Sequence, residues 1–171
     1  MRRSKTSELP TDPEELYDAL RGAAYRALSY RALTAKELRQ KLLAKKGSDP
    51  EMVTAIIAQF IEDKYIDEAG IVSDYIRRSK EDRPMGRFSV QYDLTHRGLT
   101  ELFVQELLDE LYPEEEEPEV AFRFAERRVG RTIGLERKKE AERIAAALHR
   151  RGFRTDTIYD VLRRLSIDEN S

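Results

Sequence analysis

The sequence predicts an all-α protein built from three tandem three-helix repeats that pack into an elongated, curved body. Glycine and proline number only 8 and 6 in 171 residues, so the chain has few of the signals that mark strands and tight turns. Charged side chains make up 37% of the residues, against about 25% in an average soluble domain, which indicates a large surface for the size of the core. A spacing pattern set by three glycines recurs along the chain and defines the repeats.

The first repeat opens with two strong signals of helix initiation. Asp12 followed by Pro13 supplies a side-chain cap and a proline at the first helical position, which predicts a helix over residues 13–33. Thr34 and Glu37 have the spacing of a capping box, in which a hydroxyl and a carboxylate each accept an amide of the first turn. A second helix is therefore predicted to begin directly after Thr34.

The second helix is predicted to end at Lys46-Gly47. A basic residue suits the negative end of a helix dipole, and glycine readily adopts the left-handed conformation just past a helix. Asp49-Pro50 repeats the earlier signal for initiation, so a third helix is predicted over residues 50–64.

Beyond the first repeat, helices and breaks continue to alternate. The further predicted helices cover residues 68–78, 87–97, 100–111, 120–129, 136–151 and 156–165. The predicted organisation is an N-terminal tail (1–13), a first repeat (14–67), a second repeat (68–113), an acidic linker (114–118), a third repeat (119–166) and a C-terminal tail (167–171).

Three helix pairs share one pattern when they are aligned on Gly47, Gly98 and Gly152. Apolar residues recur four residues before each glycine and six, nine, ten and thirteen residues after it, and the later positions form one helical stripe. The columns are Leu43, Leu94 and Leu148; Val53, Val104 and Ile158; Ile56, Leu107 and Val161; Ile57, Leu108 and Leu162; Phe60, Leu111 and Leu165. Units of this size rarely bury a full core alone, so neighbouring repeats are expected to stack.

The net charge of −2 hides zones of opposite sign. Residues 98–122 carry nine acidic and no basic side chains, whereas residues 123–154 carry eleven basic and four acidic ones, and residues 77–97 have a small basic excess. Two readings are open: a surface complementary to a charged partner or to phosphate, or helix faces whose charges pair with one another. The basic residues that we expect to contact a partner are Arg77, Arg78, Lys80, Arg83, Arg87, Arg97, Arg123, Arg127, Arg128, Arg131, Arg150 and Arg151.

The sequence offers no catalytic, metal-binding or cofactor-binding motif. Cysteine is absent, and the chain has neither a phosphate-binding loop nor a glycine-rich dinucleotide motif. Its two histidines, His96 and His149, lie far apart and near predicted helix ends, where capping is the simpler role. No stretch reaches 18 apolar residues, so no membrane span is expected.

Several short motifs together resemble the RecX family of regulatory proteins. The resemblance covers about residues 14–166 and depends on the order and spacing of the motifs. The residues that carry it are Ala27-Leu28, Arg31, Thr34, Glu37-Leu38, Lys41-Leu42, Lys46-Gly47, Tyr65-Ile66-Asp67-Glu68, Tyr75-Ile76, Gly86, Leu94 and Arg97-Gly98-Leu99.

The resemblance implies a protein without enzymatic activity that binds the RecA recombinase, in the groove of the RecA–DNA filament. It also implies inhibition of the ATPase, strand-exchange and co-protease activities of RecA, and hence a role in recombination, DNA repair and the SOS response. We accordingly expect a cytoplasmic monomer that needs no cofactor and binds DNA directly at most weakly. The alternative is a helical regulator that acts on DNA itself, since helix pairs of this kind are similar to helix-turn-helix units.

Overall fold

The computed structural model describes residues 9–129 and 137–165, and every regular element within those ranges is helical. The elements are α1 (Pro13–Tyr30), α2 (Ala35–Leu43), α3 (Pro50–Glu62), α4 (Glu68–Glu81), α5 (Arg87–His96), α6 (Glu101–Leu111), a 3₁₀ turn (Glu114–Glu116), α7 (Glu117–Glu126), α8 (Arg137–His149) and α9 (Thr155–Arg164). The prediction of an all-α fold is confirmed.

The predicted helix-initiation signals form the expected hydrogen bonds. The Asp12 carboxylate accepts two amides of the first turn of α1, at 3.0 and 3.1 Å. Thr34 Oγ1 accepts the Glu37 amide at 3.2 Å, and Glu37 Oε2 accepts the Thr34 amide at 3.0 Å, which completes the capping box of α2. Asp49 caps α3 in the same way as Asp12 caps α1.

The three glycines of the repeat adopt the predicted left-handed backbone. The φ angles of Gly47, Gly98 and Gly152 are 84°, 101° and 72°, a region that side chains disfavour. Lys64, just past α3, also has a left-handed backbone, with a φ of 63°, although it carries a side chain.

Most residues of the repeated apolar columns are buried, although Leu107, Leu111 and Leu165 are only half-buried and one column is shifted in the first copy. Columns six and ten residues after the glycine are buried in all three copies: Val53, Val104 and Ile158, and Ile57, Leu108 and Leu162. Four residues before the glycine, Leu94 and Leu148 are fully buried, but Leu43 is 41% exposed and its neighbour Leu42 is buried instead. The prediction that Leu43 belongs to the core is therefore wrong, because α2 turns the adjacent leucine inward.

The chain divides into two compact units, and the division falls within α4: one unit ends at Ile71 and the other begins at Val72. The N-terminal unit has its own core, formed by buried residues of α1, α2 and α3 together with Leu33 and Ile66. The rings of Tyr25, Phe60 and Tyr65 close one side of it, with centroids 4.7 to 5.2 Å apart.

The C-terminal unit buries residues of α4 to α9 in a single core, so the predicted second and third repeats share their interior. Within this unit, the backbone at the start of α5 packs closely against the backbone of the turn between α8 and α9. The Gly86 amide donates to the Arg151 carbonyl at 2.8 Å, and a Cβ on Gly86 would lie 2.0 Å from the carbonyl oxygen of Gly152. The predicted repeat boundaries stay predictions, because a division of the chain into packing units does not test a division into sequence repeats.

The segment predicted as an acidic linker, 114–118, forms the 3₁₀ turn and the first residues of α7. The carboxylate of Glu117 is buried, and its Oε1 accepts the Arg87 amide at 3.1 Å. Burial raises the pKa of this carboxyl group, although the hydrogen bond from the Arg87 amide opposes the shift. Glu116 also contacts Lys80, at 2.6 Å. This acidic segment is thus held against the C-terminal unit rather than solvated along its whole length.

Candidate functional site

The predicted basic residues on α4 are neutralised by nearby acids. Arg77 lies 3.5 Å from Asp74 and 3.6 Å from Glu81, and Arg78 lies 3.7 Å from Asp74. Lys80 contacts Glu116 and donates a hydrogen bond to the Leu111 carbonyl at 2.9 Å. These three cations therefore have partners within the chain and are weaker candidates for the contact with another molecule.

Arg87 is buried and must be removed from the predicted surface. Its guanidinium donates to the carbonyl oxygen of Leu108, at 3.0 Å, which also accepts the Tyr112 amide, and to the carbonyl oxygen of Tyr112, just past the end of α6. It also contacts the Asp109 carboxylate at 2.5 Å, and this hydrogen bond lowers the pKa of Asp109. Arg87 thus fastens the end of α6 to the start of α5.

Five candidate arginines have no carboxylate partner among the described residues: Arg83, Arg123, Arg127, Arg150 and Arg151. The first four of these are exposed and Arg151 is half-buried. We call these five residues the unpaired arginine set. Because no acid of the described chain neutralises them, they can offer their full charge to an anionic partner.

One member of this set, Arg151, lies near the ring of Phe124 together with another candidate residue, Arg128. The guanidinium carbons of Arg128 and Arg151 lie 3.7 and 5.2 Å from the centroid of this buried ring. Arg151 also donates to the carbonyl oxygen of Pro84 at 3.3 Å, which holds it beside the segment that carries Arg83. Burial and the charge of Arg83 lower the pKa of Arg151.

Three segments therefore bring guanidinium groups together: the loop after α4, the end of α7 and the end of α8. Guanidinium groups bind carboxylates and phosphates through paired hydrogen bonds, so the arrangement can bind an oxyanion. Of the remaining candidates, Arg97 is the C-cap residue of α5, and Arg131 lies outside the described residues.

Neither a metal centre nor a membrane helix is found in the described part of the chain. No group of three or more His, Asp or Glu side chains there could hold a metal ion, and the sequence contains no cysteine. No described helix has the length and apolar character needed to cross a membrane.

Comparison with known proteins gives two family matches and several similar proteins. Residues 21–60 match the first three-helix domain of RecX, and residues 114–162 match its third three-helix domain. The regulatory protein RecX of Halorhodospira halophila is 33% identical over 141 residues, which cover 82% of this chain and 84% of that protein. This chain belongs to the RecX family. The predicted resemblance is confirmed.

Other RecX proteins agree with this assignment. Regulatory protein RecX of Chlorobium limicola is 25% identical over 123 residues, covering 72% of this chain and 75% of that protein. The crystal structure of RecX from Lactobacillus salivarius superposes with a TM-score of 0.72 at 22% identity, over 89% of this chain and 97% of that one. At that identity the likeness shows the fold alone. The relatives are named as regulatory proteins, which supports a regulatory role for this chain.

Each RecX domain match lies within one of the two units, and most of the unpaired arginine set falls within one match. The first-domain match lies inside the N-terminal unit, and the third-domain match lies inside the C-terminal unit. Four of the five unpaired arginines, all but Arg83, lie within the third-domain match. The segment that matches the third RecX domain therefore carries four of the five candidate arginines without a carboxylate partner among the described residues.

Proposed function

We propose that this RecX-family protein is a non-catalytic regulator that binds the RecA recombinase in the groove of the RecA–DNA filament. On this proposal it acts in the cytoplasm as a monomer and inhibits the ATPase, strand-exchange and co-protease activities of RecA. The observation that carries the proposal is membership of a family whose named relatives are regulatory proteins. The unpaired arginine set supports it by offering an anion-binding surface to the filament.

The first test measures RecA directly. Purified protein is added to RecA and single-stranded DNA at substoichiometric to equimolar ratios, and the rate of DNA-dependent ATP hydrolysis is followed. We expect the rate to fall and the protein to co-sediment with the filaments. An unchanged rate together with no co-sedimentation would falsify the proposal.

A second test asks whether the unpaired arginines provide the contact. The variant Arg123→Gln, Arg127→Gln, Arg150→Gln removes three exposed charges that have no internal partner. The matched control Arg77→Gln, Arg78→Gln, Arg163→Gln removes three exposed charges that contact acids within the chain. We expect the first variant to bind filaments about tenfold more weakly and the control to stay within about threefold. Equal effects of the two variants would count against this surface.

Direct regulation through DNA is the second candidate, because guanidinium groups bind phosphate as well as carboxylate. The two functions differ in their response to salt. A protein that binds naked DNA through phosphates loses affinity steeply as salt rises, because bound counterions are released. If naked DNA is bound as tightly as the RecA filament and with that steep dependence, direct DNA binding is the better description.

A further inference from the structure

The exposed face of α5 carries two aromatic side chains that serve no core. Phe88 is 69% exposed and Tyr92 is 53% exposed, and their spacing of four residues puts them on the same face of the helix. Leu102, near the start of α6, is 71% exposed. Single exposed apolar side chains are common, but three large ones on two neighbouring helices are unusual and indicate a surface that a partner could cover.

A shallow recess extends this patch. It has a volume of about 250 Å³ and is lined by Phe88, Gln91, Tyr92, Thr95, Leu99 and Glu101. The Gln91 side chain donates to Glu101 Oε1 at 3.4 Å, which joins α5 to α6 beside the recess. Leu102 does not line the recess but follows one of its lining residues, Glu101, directly in the sequence of α6.

The ring of Tyr92 is already held in place. It stacks on the imidazole of His96 with centroids 3.8 Å apart, and His96 Nδ1 donates to the Tyr92 carbonyl at 2.8 Å. An aromatic side chain that is ordered before binding loses little conformational entropy when a partner covers it. Tyr92 is therefore suited to act as an anchor for a bound segment.

The border of the patch on α6 is acidic. Glu106 and Glu110 follow Leu102 at intervals of four residues and so share its face, and both are exposed. Neither contacts a basic side chain among the described residues. A ligand that covers Leu102 would therefore meet apolar surface and uncompensated negative charge together.

We propose that Phe88, Tyr92 and Leu102 form a docking surface for a protein segment whose apolar side chains are flanked by lysine or arginine. The apolar side chains would cover the three exposed residues, and the basic ones would face Glu106 and Glu110. This inference rests on the proposed function, because the segment is assigned to the RecA filament. It adds a second contact, opposite in charge to the unpaired arginine set.

The experiment measures binding to RecA filaments on single-stranded DNA. The variant Phe88→Ser, Leu102→Ser removes the exposed apolar groups, and the control Tyr30→Ser, Tyr159→Ser removes two other exposed rings. We expect the first variant to bind about tenfold more weakly and the control to bind like the wild type. Circular dichroism and the melting temperature verify that both variants are folded, as the exposure of all four residues predicts.

A charge variant tests the chemistry of the segment. Glu106→Lys, Glu110→Lys should weaken filament binding further if the segment is basic, and an unchanged affinity would overturn that assignment. If the wild type binds filaments and the Phe88→Ser, Leu102→Ser variant binds them equally well, the docking surface is overturned and the proposed function stays intact. Failure of the wild type to bind filaments overturns both. Sedimentation equilibrium tests a further outcome. If the wild type forms a dimer and the Phe88→Ser, Leu102→Ser variant stays monomeric, the surface binds a second copy of the chain, and the proposed occupant is overturned.

Discussion

The N-terminal unit buries α1, α2 and α3 around a core of its own, whereas the C-terminal unit buries α4 to α9 around one shared core. The glycine turns show the same difference. A Cβ on Gly47 would meet only Leu9, at an ordinary 3.8 Å, but one on Gly152 would lie 1.9 Å from Ser89 Oγ. The same sequence repeat thus forms a core of its own where its turn is uncrowded, and shares a core with another repeat where a further helix packs against its turn.

Both units use an acidic residue that opens one helix to cap another. Glu68, the first residue of α4, accepts the amide of Ala35 at the start of α2, at 3.0 Å. Glu117, the first residue of α7, accepts the amide of Arg87 at the start of α5. α2 also has Thr34 as a side-chain cap, but the residue before α5 is Gly86, which has no side chain that could cap the helix. The cap from a distant helix therefore matters more in the C-terminal unit.

The largest expected effect separates equivalent leucines of the two units. Leu94→Ala should lower the free energy of unfolding by about 2–5 kcal/mol, because Leu94 is fully buried in the shared core. Leu43→Ala should lower it by less than about 1 kcal/mol, because Leu43 is largely exposed. Urea denaturation followed by circular dichroism measures both values. Similar losses would show that the columns of the repeat are equivalent after all.

The next largest effect compares two glycines, one that is needed for close packing and one that is needed for a left-handed backbone. Gly86 has an ordinary φ of −70°, but an alanine Cβ there would collide with the backbone of Gly152, so Gly86→Ala should destabilise by about 2–3 kcal/mol. An alanine Cβ at Gly47 makes only an ordinary contact with Leu9, so Gly47→Ala should cost about 1 kcal/mol, from its left-handed backbone. Thermal denaturation of the two variants provides the comparison, and the reverse order would contradict the joined packing of α5 and the α8–α9 turn.

The fold was predictable where its causes are local. The caps at Asp12 and Thr34 and the turn at Gly47 depend on residues within one helical turn, so their sequence signals sufficed. Arg87 was misplaced on the surface because its acceptors, Leu108 and Tyr112, are more than twenty residues away and reach it only through packing. Sequence reasoning carried no signal for such a contact.

The contacts of the candidate site also fall into local ones, which the sequence predicts, and distant ones, which it does not. The pairing of Arg77 with Glu81 follows from their spacing on one helix, and the sequence could have shown it. The contact of Lys80 with Glu116 joins distant segments and needs the structure. Phe88 and Tyr92 could have been noticed as an apolar pair four residues apart, but only their exposure distinguishes a docking surface from a core stripe.

A smaller effect concerns the buried cap of α5. Glu117→Gln keeps an acceptor for the Arg87 amide, whereas Glu117→Ala leaves that buried amide unsatisfied and should destabilise by about 1–3 kcal/mol. The two variants, measured side by side by urea denaturation at neutral pH, differ in the cap and in the volume of the buried side chain. Equal stability of the two would mean that the cap contributes nothing.

The same cap predicts a dependence on pH. Because burial raises the pKa of Glu117, the folded protein holds this proton more tightly than the unfolded chain. The contribution of Glu117 to stability is then fully present in acid and is lost as the pH rises through the folded pKa. Between about pH 4 and pH 7 the wild type should lose stability relative to Glu117→Gln. A difference that stays constant over this range would contradict the raised pKa.

The smallest expected effect is a gain in stability, and it compares the left-handed turns that contain glycine with the left-handed turn at Lys64. Lys64 ends α3 in a left-handed conformation that costs a side-chain residue about 1 kcal/mol, whereas glycine adopts it freely. Lys64→Gly should therefore stabilise the protein by about 0.5–1 kcal/mol, even though glycine also gains entropy in the unfolded chain. Lys64→Ala is the matched control, since it removes the same charge and keeps the strain. If urea denaturation shows the same stability for the two variants, the turn after α3 is not strained, and the need for glycine at Gly47 must come from its own surroundings.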